Sequence, residues 1–121
     1  MENLTAILLN STIVNPGESI YSDALSLDRV IKLSLTCSGK FNMSKTWEGS
    51  GLRVKILSSP DGSTWDITPY AIFDAPSNIS KHVYATVSII PDPSYIKCKI
   101  INQNQNETAY ECKLIASYAK T

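Results

Sequence analysis

Apolar residues in this chain recur at every second position, and no window sustains the i, i+3, i+4, i+7 stripe of an amphipathic helix beyond a turn or two. From Val30 to Ser38, Ile31, Leu33, Leu35 and Cys37 alternate with Lys32, Ser34 and Thr36, which predicts a strand with one buried and one wet face. Leu52 to Ser58 repeats the pattern, with Leu52, Val54 and Ile56 inward and Arg53 and Lys55 outward. It ends at Ser59-Pro60-Asp61-Gly62, where proline presets φ and glycine permits φ > 0. Trp65 to Phe73 reads as a shorter strand broken by Pro69, and His82 to Ile90 as another, stopped by Pro91-Asp92-Pro93.

Tyr95 to Ile101 and Thr108 to Tyr118 read as a terminal hairpin around the polar segment Asn102 to Glu107. Centring the turn on Gln105 pairs Ile96 with Leu114, Cys98 with Cys112 and Ile100 with Tyr110, and sets Lys99 against Glu111 on the opposite face. The Asn/Gln-rich stretch Asn102 to Asn106 is then a solvated hairpin tip. Asn3 to Val14 is β-prone without clean alternation, and Glu18 to Leu27 is a weaker strand beyond Pro16-Gly17. Seven or eight strands with no helix to cover a parallel sheet imply an all-β chain folded as one antiparallel sandwich, jelly-roll or immunoglobulin-like. The expected division is an extended N-terminal arm over residues 1–16 and a β-sandwich over residues 17–121.

The 121 residues carry 11 Lys+Arg against 11 Asp+Glu. That balance disfavours general electrostatic capture of nucleic acid or of an anionic membrane. Met1-Glu2-Asn3 has no basic n-region, and Ala6 to Leu9 is too short for a signal segment. The chain is therefore expected on the cytoplasmic side, leaving by assembly or lysis.

Catalytic chemistry finds little footing. The single histidine, His82, falls on the outward parity of its strand beside Lys81, so no triad assembles around it. Asp61, Asp66 and Asp74 lack the dense alternating oxygen ligands of a calcium loop and read as turn-capping groups. No phosphate loop or paired-Cys zinc spacing occurs, so neither metal nor cofactor is expected. Three cysteines do not make a disulfide framework; Cys37 reads as a core residue, and Cys98 and Cys112 as two buried thiols, though a cross-strand disulfide is conceivable in an oxidising place. Five Asn-x-Ser/Thr sequons, at Asn3, Asn10, Asn42, Asn78 and Asn106, read either as polar loop chemistry or as acceptors on a glycosylated surface protein.

Large apolar residues stand where the sandwich does not need them. Ser38 to Gly51 places Phe41, Met43 and Trp47 in a long polar connection, and the arm carries Leu4, Ile7 and Leu9. These six are the expected partner-binding residues, either as loop anchors or as a strand added to a neighbour's sheet. The alternative for the loop is a lid folded onto the core.

Ser59-Pro60-Asp61-Gly62-Ser63-Thr64-Trp65 after a Lys/Val strand, with Pro93-Ser94-Tyr95-Ile96-Lys97 opening the next-to-last strand, resembles the pattern of small β-sandwich auxiliary proteins on tailed-phage heads. Leu8-Leu9-Asn10, the strand after Leu27-Asp28-Arg29 and the terminal hairpin follow in the same order, so the resemblance covers most of the chain. The first motif also approaches the Asp-box S-x-D-x-G-x-x-W, but Asp61 and Gly62 are adjacent, one residue short. The resemblance implies a capsid decoration or cement subunit without catalytic activity. Its partners would be the major capsid protein or other virion subunits, with homo-oligomers possible, and its place the virion, assembled in the host cytoplasm. The second class is a secreted or surface carbohydrate-binding or adhesive sandwich, supported by the sequons and the loop aromatics.

Overall fold

The computed structural model describes residues 1–41, 51–76 and 82–121; Met43 and Trp47 lie outside the described residues. These form β1 (Glu2–Val14), β2 (Ser19–Tyr21), β3 (Leu25–Ser26), β4 (Val30–Phe41), β5 (Leu52–Ser59), β6 (Ala71–Ala75), β7 (His82–Ile89), β8 (Tyr95–Asn102) and β9 (Ala109–Lys120). All pairings are antiparallel. One sheet runs β1-β9-β4-β7; the other runs β2-β8-β5-β6, with β3 also on β8. If β2 and β3 count as two pieces of one interrupted strand, eight strands alternate between the layers, with β5 and β6 the one consecutive pair that stays in a sheet. That is a jelly roll, an all-β sandwich as the alternation predicts.

The core fills the space between the layers. Leu33, Leu35, Cys37 and Leu114 point in from one sheet, and Val54, Ile56, Ile96, Cys98 and Ile100 from the other. The inward parity expected for β5 holds at Leu52, Val54 and Ile56. Cys37, Cys98 and Cys112 are all buried free thiols. Burial raises Cys37 and Cys98 to about 12, and Cys112 to about 11.

Several expectations need correction. The last two strands do not form a hairpin. β8 pairs with β5, β2 and β3, whereas β9 pairs with β1 and β4, so Lys99 lies opposite Lys55 and Tyr21 rather than Glu111. Two consecutive strands with one alternating pattern present the same inward stripe whether they share a sheet or face each other across a core, so alternation cannot distinguish the two. The connection decides. Asn102, expected at a solvated tip, is fully buried, and its Nδ2 donates to the carbonyls of Val14 (3.1 Å) and Glu107 (2.8 Å). Asn104 is also buried, and its Oδ1 accepts the amides of Asn106 and Glu107. The amide of Gly17, at φ 70°, donates to the carbonyl of Asn104, and the amide of Asn102 to that of Glu18, joining this corner to the turn after β1. These amide side chains satisfy the backbone of a chain turning from one sheet to the other.

The segment read as an arm is paired. β1 runs along β9 from Glu2↔Lys120 to Val14↔Ala109, forming the edge of the four-stranded sheet. Its irregular pattern comes from register shifts after Ile7, Leu9 and Thr12, with Ser11 at φ 43°; the first lets Leu8 and Leu9 both face inward. A shift between Val30 and Lys32 likewise buries Val30 and turns Ile31 outward, against its expected parity. Of the strand expected over Trp65 to Phe73, only residues 71–73 are strand, the start of β6; residues 60–70 arch beside β5, tied to it by the Asp66 and Tyr70 amides. Phe41 ends β4 and is fully buried, a core residue rather than a loop anchor.

Candidate functional site

Of the residues expected to meet a partner, Ile7 alone among those described stands exposed on an outer face; Leu4, three positions away, is half-buried on the inward parity with Ala6 and Leu8. Leu9 and Phe41 go to the core. Cross-strand registers place Thr5, Ser117, Ser34 and Ser88 in one row across the outer face of the four-stranded sheet, and Ile7, Ile115, Thr36 and Thr86 in the next. Thr36 and Thr86 share a hydroxyl–hydroxyl bond of 2.8 Å. Short side chains of similar height in paired strands make this face flat, and neither row contains a charge. Ile7 is 53% exposed within it, and Tyr84 is 72% exposed one row further on, beside Ser38. At one end lies an open depression of about 920 Å³, lined by Leu4, Thr5, Ile31, Ser34, Ser88 and Ser117 among others.

The opposite outer face, on the five-stranded sheet, differs in chemistry, and sequence reasoning missed it. Lys55 stands opposite Lys99, and Lys97 lies two residues from Lys99 on the same strand and therefore on the same face. Over them comes the arch of residues 60–70. Ser59 Oγ accepts the amide of Gly62 (2.9 Å), and Asp61 Oδ1 accepts those of Ser63 and Thr64 (both 2.8 Å). These bonds hold the Asp61 carboxyl below its usual range. Gly62 has φ 80°, and a Cβ there would lie 3.2 Å from the Tyr95 ring, so the two sequence motifs meet at this turn. Asp66 closes the arch by donating its amide to the Ser58 carbonyl and accepting Ser58 Oγ, both at 3.0 Å.

The result is to fix Trp65 over β8. Lys97 Nζ sits 4.7 Å from the centre of the Trp65 ring and 4.8 Å from that of Tyr21, with Lys99 Nζ 5.8 Å from Tyr21. A groove of about 380 Å³ runs between Tyr21, Trp65, Pro69 and the three lysines. Arg53 adds no free charge, because Asp74 takes it in a two-pronged pair at 2.8 and 3.2 Å. The three expected turn aspartates thus each have a separate partner. The signal available in the sequence was the outward parity of Lys55, Lys97 and Lys99, concealed by a net charge of zero for the whole chain. His82 is exposed at the start of β7.

The fold and its two dissimilar outer faces define a jelly-roll sandwich with opposed surfaces. No family model matches the chain, and no curated protein matches it. Among solved structures it is similar to the PBSX exported protein XepA, with a TM-score of 0.57 and 16% identity, over 98% of this chain and 37% of that one. The chain therefore spans little more than a third of that protein's length, and the likeness is one of fold.

Proposed function

We propose that this protein is a non-catalytic structural subunit of a phage-type virion, a decoration or cement protein seated on the outside of an assembled shell. The observation that carries the reading is the pair of flat, uncharged rows across the outer face of the four-stranded sheet, with Ile7 at their β1 end and a charge, Lys113, only in the next row beside Ser38. A rigid surface of small hydroxyls and exposed apolar groups suits shape-driven docking on a neighbouring protein without salt-sensitive steering. The jelly roll is an architecture used in viral capsids, and XepA, a structural neighbour, is a PBSX exported protein. Fold alone does not fix function. The sequence motifs support the same reading, since Gly62 and Tyr95 interlock.

The test is to induce phage in the source organism, separate particles on a density gradient and look for this chain by mass spectrometry. Co-migration with filled heads, abolished by Ile7→Lys in a protein of unchanged melting temperature, is the expected outcome. A chain that stays at the top of the gradient in every fraction set rejects the reading.

A further inference from the structure

We propose that the groove between Tyr21, Trp65 and the lysines of β5 and β8 binds an acidic polysaccharide, a sugar chain bearing carboxylates. The inference rests on this groove alone and is independent of the virion reading. Like charges directly opposite on neighbouring strands destabilise a sheet, yet Lys55 and Lys99 are opposed, with Lys97 close by. Among the described residues lining the groove, Asp66 is the only acid, and it is held by Ser58. A site that gathers three ammonium groups at such a cost is complementary to an anion.

The ammonium groups are also placed. Lys97 is held between two aromatic rings, and Tyr21 lies beneath both Lys97 and Lys99. A long side chain so constrained loses little further freedom on binding. Tyr21 is 53% exposed and Trp65 is half-buried, leaving aromatic surface for the apolar face of a sugar ring beside the cations. At about 380 Å³ the groove matches a short ligand segment. A nucleic acid fits less well, because three lysines on a chain of zero net charge supply few phosphate contacts.

Calorimetric titration of the purified protein with oligogalacturonate tests this, with dextran oligomers, polyphosphate and a short DNA duplex as comparison probes. Oligogalacturonate should bind and dextran should not. Lys97→Gln and Trp65→Ala should each weaken binding by about tenfold while the melting temperature stays within a few degrees. Lys55→Gln, which disrupts no aromatic contact, provides a second charge variant. Equal binding of dextran would show that the charges are idle. Equal or tighter binding of polyphosphate or DNA would show that the sugar ring is not recognised, and no binding of oligogalacturonate at millimolar concentration would show that the groove is not a saccharide site. Each of these overturns the proposal and leaves the particle experiment unaffected.

Discussion

Asn102 Oδ1 accepts the backbone amide of Asn104 at 2.9 Å, so one buried asparagine positions the next at the corner between β8 and β9. Asn102→Asp keeps the shape but replaces two donated bonds with a carboxylate facing the carbonyls of Val14 and Glu107. The expected cost is about 2–4 kcal/mol, read as a lower urea midpoint at unchanged slope. A variant as stable as the parent would show that the corner does not depend on this amide.

The thiols predict an alkaline limit. Cys37 and Cys98 ionise near 12 and Cys112 near 11 in the folded protein, all raised mainly by burial above the value of 9.0 for a free thiol. Their contribution is therefore fully present below about pH 9 and is lost as pH rises toward 11–12, because the unfolded chain releases these protons first. Each affected thiol costs on the order of 1.4 kcal/mol per pH unit in that window. Denaturant unfolding from pH 8 to 11 should show this slope, reduced in Cys37→Ser measured against its own pH 8 value. Thiol reagents at pH 8 should label all three only upon unfolding.

Phe41 and Ile7 separate stability from attachment. Phe41 is fully buried, so Phe41→Ala should cost about 3–5 kcal/mol. Ile7 is half-exposed on the flat face, so Ile7→Lys should leave stability within about 0.5 kcal/mol and remove particle binding. Deleting residues before Pro16 cannot make this distinction, since it strips β1 from β9.

The arch that carries Trp65 predicts an acid limit and a glycine requirement. Asp61 has a lowered carboxyl pKa, chiefly because it accepts the Thr64 and Ser63 amides, so its contribution is present above about pH 4 and fades as pH falls through the lower folded value. Asp61→Asn should flatten stability in that acid range. Gly62→Ala meets both the strain of a left-handed backbone and the Tyr95 ring, and should cost about 1–3 kcal/mol. Near-ultraviolet circular dichroism would report any shift of Trp65 in either variant.

Strand positions and facing were legible where pairing is regular. Leu52, Val54 and Ile56, or Leu33, Leu35 and Cys37, can be read inward directly because the side-chain period is two. Bulges broke the reading at Ile31 and along β1, since one extra residue reverses parity and nothing in Leu8-Leu9 announces it. Layer assignment was not legible either, because it depends on the buried contacts of Asn102 and Asn104, and asparagine is equally suited to a wet turn. The flat face was legible only through Ile7, since Leu4 turns inward. The groove was not, as Lys55 and Lys97 are 42 positions apart in the chain and meet only through strand pairing.

Because Glu2 pairs with Lys120, the first and last strands leave the sheet side by side at the same end. A load pulling those two ends apart opens β1 from β9 as a zip, one ladder rung after another, beginning at the rungs around Leu4 and Tyr118 beside the open depression. A load transmitted from one broad face to the other meets no such seam, since it presses both layers against their shared core. The sandwich is thus mechanically weak along the line joining its ends and strong through its thickness, which favours service as a pad between two surfaces over service as a tensile link in a chain.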